Sequence, residues 1–152
     1  MAKAILYLFI VISFISPSLT HSEENKKVNY ILDSISGDYA ECAAYYTIVY
    51  HSMVSANEAA AANNYAQLQE TAINYALQLA SEGRSIEMTG KVTKSRIEMY
   101  NKKMKQEAGN DAANISVLIN KYHFKCTNAL ENPEKYIQEV KEELEKKQKN
   151  KK

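Results

Sequence analysis

Helix-breaking residues are scarce in this chain: 152 residues include four glycines and two prolines, and one of the prolines, Pro17, stands near the N-terminus. No alternating apolar–polar run of useful length follows, so strands are not expected and long helices with short connections are. Tryptophan is absent, and cysteine occurs only at Cys42 and Cys126. The Cys-x-x-Cys-His signature of covalent haem is missing, as are a Gly-rich phosphate loop and a Gly-x-Ser-x-Gly elbow. Neither His51 nor His123 has an acid three residues before it, so the Glu-x-x-His pairs of di-iron bundles are missing too. A cysteine nucleophile needs a free thiol, which a disulfide removes. These absences argue against an enzyme and against a metal or cofactor.

Charge of one sign is also missing over a long stretch. Residues 28–83 hold no Lys or Arg but six acids: Asp33, Asp38, Glu41, Glu58, Glu70 and Glu82. Residues 84–152 hold 16 basic and 10 acidic residues. Two helical halves of opposite sign attract when packed. Acidic residues interrupt the basic half throughout, so docking of the halves is the favoured role, and no nucleic-acid partner is expected.

Residues 1–20 read as a secretory signal peptide. Lys3 is the only charge before Glu23, and residues 4–15 form a 12-residue apolar run broken only by Ser13. A membrane span needs about 20 such residues, so no stable span is expected once the leader is removed. Export gives the two cysteines their meaning: in an oxidising compartment they pair.

Residues 38–54, DYAECAAYYTIVYHSMV, read as the central helix. Tyr39, Cys42, Ala43, Tyr46, Val49, Tyr50 and Met53 recur at helical steps. Gly37 is expected to break the chain before it, with Asp38 and Glu41 forming a capping box at the positive end of the dipole. Residues 21–37 then form a short helix or an arm over the bundle. A second capping-box match at residues 55–58 places the next turn there or near Asn63, before a helix over 65–81 that Gly83 stops. A third helix spans about 86–107, with Met88, Val92, Met99 and Tyr100 as its stripe, Ile97 and Met104 beside them, and lysines opposite. The fourth spans 111–130, facing inward with Ile115, Leu118, Ile119, Tyr122, Cys126 and Ala129. Pro133 opens a short fifth helix carrying Tyr136, Ile137, Val140 and Leu144. Residues 146–152, five lysines in seven, read as a disordered tail after a domain covering 21–145.

The expected fold is therefore all-α: an up-and-down four-helix bundle with a short C-terminal fifth helix and one disulfide. In that layout the start of helix one and the end of helix four share an end, which suits a Cys42–Cys126 bond. Measured from that bond at 1.5 Å per residue, Met53 lies about 16 Å along the axis and His123 about 4.5 Å, so they are not level as haem ligands. His51 and His123 come out about 9 Å apart, too far to share a metal. His123 does fall level with Tyr45 and Tyr46, and a Tyr–His hydrogen bond is expected there. Tyr45 and Tyr46 point 100° apart, so not every tyrosine of this helix faces the core. Tyr45, Tyr46, Tyr50, Met53 and His123 are the candidate contact surface or pocket.

The segments YAECAAYY and KYHFKCTNALENPEKY resemble small exported two-cysteine helical proteins of proteobacteria. That resemblance covers the two cysteine-bearing stretches, implies a periplasmic or secreted protein, and carries no functional residue with it. The functional expectation is a non-enzymatic module that binds a protein or envelope component through a helix face. The alternative is a carrier of a small apolar ligand in an interhelical pocket lined by Tyr46, Met53, Met88 and Met99.

Overall fold

A computed structural model describes residues 18–150 apart from Gly83. Five helices make up the described chain: α1 (Ser18–Ser55), α2 (Ala59–Ala80), α3 (Ile86–Glu107), α4 (Ile115–Glu131) and α5 (Pro133–Lys149), with one 3-10 turn, Ala112–Asn114, before α4. No strand occurs among the described residues. The expected leader lies outside them except for Ser18–Thr20, the first turn of α1, and the expected stop at Gly83 lies outside them too.

The largest departure from expectation is α1. It does not begin at Asp38 but runs through Gly37 as one 38-residue rod, about 57 Å long. Helix-interior glycine costs roughly 1 kcal/mol. Packing outweighs that: Ile31, Ile35 and Tyr39 continue the buried face of Cys42, Tyr46 and Val49 without a break. A Cβ at Gly37 would sit 3.9 Å from the Tyr100 hydroxyl of α3, an ordinary contact, so this position faces α3 without needing a glycine. Asp38 and Glu41 are thus mid-helix residues rather than caps.

The turn after α1 lies at residues 56–58, where Asn57 adopts a left-handed φ of 60°. The capping box expected there does not form. Ser55 instead donates its hydroxyl to the His51 carbonyl, and Glu58 precedes α2 without a side-chain cap. Ser85 caps α3, accepting from the Met88 amide at 3.3 Å. Gly109 and Asn110, both at positive φ, close its far end, with the Asn110 amide on the Lys105 carbonyl at 2.7 Å. The fifth helix is not short. It has 17 residues, as many as α4, and takes in Lys146–Lys149 of the expected tail. Glu143–Lys147 and Lys27–Glu145 ion pairs support this end, and lysines in a last turn suit the helix dipole.

Cys42 and Cys126 are joined, with Cα atoms 5.3 Å apart. Cys42 nevertheless lies well inside α1, not near its start, because α1 is longer than expected. Beside it Tyr39 donates to the Ala129 carbonyl at 2.9 Å. Tyr46 meets Tyr65, Tyr39 stacks on Tyr75, and Ser36 donates to the Ala76 carbonyl, so α1 and α2 step in opposite directions. Asp33 meets Arg96 and Glu41 meets Lys103, so α1 and α3 step in the same direction. Two apolar clusters result. One surrounds the disulfide with Tyr45, Tyr46, Met104, Leu118 and Tyr122. The other holds Ile31, Ile35, Tyr39, Ala76, Ala129 and Tyr136, and α5 covers it.

On α3 the buried stripe is Thr89, Thr93 and Met104, with Ile97 and Tyr100 partly buried. The expected Met88 and Met99 are 52% and 55% exposed. Threonine is small enough for close approach, and Thr89 satisfies its hydroxyl on the Ser85 carbonyl at 3.0 Å. The rotation is by one residue, 100° of helix.

Candidate functional site

The five sequence candidates divide between core and surface. Tyr45 and Tyr46 are fully buried, with ring centroids 5.0 Å apart. The Tyr45 hydroxyl lies 3.4 Å from Nδ1 of His123, the expected Tyr–His contact. His123 itself is exposed, so the contact is a rim feature. Tyr50 is half-buried and meets His51 edge-on at 5.1 Å, and Met53 packs on the cluster around the disulfide. Burial pushes the Tyr46 phenol up to about 12 and Tyr45 higher still. These phenols therefore stay neutral at ordinary pH. Tyr46, Met53, Met88 and Met99 do not assemble into a pocket: the first is core, the last two are on the surface of α3.

The opposite charges of the two halves meet inside the fold. Asp33 of α1 accepts from Arg84 at 2.6 Å and from Arg96 at 2.7 Å. Desolvation raises its pKa, but the two guanidiniums outweigh that and hold it below the ordinary carboxylate value. Lys125 of α4 donates to Asp38 at 2.7 Å and to Glu41 at 2.8 Å. Burial opposes the lysine's charge, yet the two carboxylates keep its pKa above the usual range. Three acids of α1 are thereby neutralised by α3 and α4, which is the docking role read from the charge pattern.

Two neighbouring depressions share lining residues. A groove of about 500 Å³ runs between α2 and α3 over Ile73, Leu77 and Ile97, with Gly90 at one end. A cleft of about 420 Å³ lies between α1 and the end of α3, lined by His51, Ser52, Lys105 and Asp111 among others. Thr47 and Asn101 line both. The Asn101 Oδ1 and the Thr93 hydroxyl, both buried beneath this surface, have no hydrogen-bond partner. Unpaired buried polar atoms are rare and costly, so they mark this region.

The chain was compared with protein-family models, with curated proteins and with solved structures. None matches. On the flank of α3 away from the groove, Met88, Val92 and Met99 share one face, with Ile86, 91% exposed, just before them. Lys91, Lys102 and Lys103 are interspersed on that side. Phe124, 83% exposed, and Val117 form a smaller apolar pair on α4. Among the described residues no group of three His, Cys, Asp or Glu is placed to hold a metal ion, and no helix is long and apolar enough to cross a membrane. The sequence missed the α3 surface because its stripe was assigned to the core. The groove gave no sequence signal beyond Gly90, since unpaired atoms are a property of packing.

Proposed function

We propose that the protein is an exported, periplasmic, non-enzymatic helical module that docks a protein or envelope component through the outer flank of α3. The observation that carries this reading is the exposure of Met88 and Met99 at 52% and 55% on one helix face. Exposed methionines suit adaptable apolar contacts, and the lysines around them favour an acidic partner surface. The disulfide supports an oxidising compartment. In this reading α1 to α4 form an up-and-down bundle, with α5 extending it along the N-terminal half of α1. Carriage of a small apolar ligand is the second reading; the α2–α3 groove favours it, although the pocket first assigned to it does not form.

The test is capture from envelope extract by the tagged mature protein, with Met88→Glu/Met99→Glu as the comparison. Both side chains are exposed, so the variant keeps its core. A partner retained by the parent and lost by the variant supports the reading. A stoichiometric lipid retained equally by parent and variant, with no other partner, would overturn it in favour of the carrier reading.

A further inference from the structure

We propose that the component docked by the outer flank of α3 is the anionic lipid surface of a membrane, on which this helix lies flat. This rests on the docking reading and names its partner.

The helix packing leaves α3 with surplus positive charge on its outside. Arg84 and Arg96 are held by Asp33, Lys125 by Asp38 and Glu41, and Lys121 by Glu107. On α3, Lys91 and Lys94 pair with Glu87 and Glu98 of the same helix, and Lys103 with Glu41 of α1 at 3.6 Å. Lys102 and Lys105 are exposed and have no carboxylate within ion-pair distance among the described residues. Exposed pairs four residues apart are weak, so Lys91 and Lys94 can turn to another partner.

The lysines edge an apolar stripe. At 100° per residue, Met88, Val92 and Met99 fall within about 40° of one another round the helix. Lys91 and Lys102 follow on one side of them and Lys103 on the other. From Lys91 to Lys105 the array runs about 21 Å along the axis. That is the pattern of a helix lying in a lipid interface: the stripe dips below the headgroups while lysine stems reach back to the phosphates.

What the stripe lacks favours lipid over protein. Protein interfaces take most of their energy from a few Trp, Tyr or Arg side chains seated in pockets. The chain has no tryptophan, Arg96 is held by Asp33, and Tyr100 is partly buried against the core. The outward apolar groups are two methionines, 52% and 55% exposed, whose flexible side chains need no shaped pocket. Two α3 flanks brought together would set lysine against lysine, so a second copy does not fit. Two half-exposed methionines alone do not hold a protein on a membrane, so charge must supply the rest.

The test is co-sedimentation of the full mature protein with sucrose-loaded vesicles, of phosphatidylcholine alone or mixed with phosphatidylglycerol. Binding to the anionic vesicles only is expected, and raising the salt from about 0.05 M to about 0.5 M abolishes it. Lys91→Gln/Lys102→Gln weakens it about 25-fold, roughly fivefold per lysine. Lys135→Gln/Lys141→Gln on α5 removes the same charge and leaves binding nearly unchanged, and Met88→Glu/Met99→Glu abolishes it. Met99→Trp introduces a single tryptophan, whose emission shifts to the blue on anionic vesicles alone. Equal losses for the two lysine pairs overturn the proposal, because net charge rather than α3 would then bind the lipid. No vesicle binding, while envelope capture still yields a protein that Met88→Glu/Met99→Glu loses, overturns the lipid assignment and leaves the docking reading standing. No vesicle binding and no such protein overturns both.

Discussion

Removing the Cys42–Cys126 bond tests how α4 is held to α1. The bond closes a sequence separation of 84 residues. In the chain-entropy model that restricts the unfolded chain by about 4.5 kcal/mol at 25 °C. Both sulfurs are fully buried, so Cys42→Ala/Cys126→Ala also loses packing, roughly 1 kcal/mol per side chain. Against this stand the Tyr39–Ala129 hydrogen bond and the Lys125 ion pairs, which remain. A domain of this size holds about 5–15 kcal/mol in all, so the variant folds but sits near its limit. Urea unfolding followed by circular dichroism is expected to show a loss of about 5–7 kcal/mol, with a larger m-value because the uncrosslinked chain expands further. Amide exchange locates the effect. Protection falls first in α4 and α5, while α1 and α2 keep Tyr46–Tyr65, Tyr39–Tyr75 and the Ser36–Ala76 bond. A loss below about 1.5 kcal/mol, or an equal drop in all five helices, would refute this account.

Gly90→Ala places its Cβ in open space and Gly37→Ala places one in ordinary contact with Tyr100, so each is expected to stabilise by roughly 0.5–1 kcal/mol, or about 2–4 °C in Tm. Scanning calorimetry checks both; a fall in Tm for Gly37→Ala would mean α1 and α3 touch more closely than described. Lys125→Met leaves Asp38 and Glu41 facing each other half-buried and should cost about 1–3 kcal/mol at neutral pH. Urea unfolding at pH 7 checks it, and an unchanged stability would mean that these two ion pairs contribute nothing. Burial raises the phenol pKa values of Tyr39 and Tyr46 to about 12. The neutral phenols thus contribute stability that is complete below the unfolded value near 10 and is lost as pH rises towards 12. Absorbance at 295 nm should show Tyr39 and Tyr46 ionising only as helicity collapses. Full ionisation of every tyrosine before that collapse would disprove their burial.

Much of the fold was legible because helix periodicity is local. The bounds of α3 and the start of α5 follow from apolar spacing and caps, and the disulfide follows from two cysteines in a chain read as exported. The Tyr45–His123 contact followed from counting residues outward from that bond. The candidate site was less legible. The 100° between Tyr45 and Tyr46 made them candidates for a contact surface or pocket, with core filling the alternative; both are buried, one towards Tyr122 and one towards Tyr65. A helix with neighbours on several sides buries more than one stripe, and a single helix's pattern does not count its neighbours.

The amino-acid order alone determined that the chain is helical, that its acidic and basic halves attract, and which sulfurs join. Each of these depends on neighbours in sequence, on composition, or on a choice between two residues. Tertiary structure alone decided that α1 passes through Gly37, that Thr89 and Thr93 rather than Met88 and Met99 face inward, and that two polar atoms go unpaired between α2 and α3. Those outcomes depend on how near other helices come, and packing energies of several kcal/mol override single-residue preferences of about one.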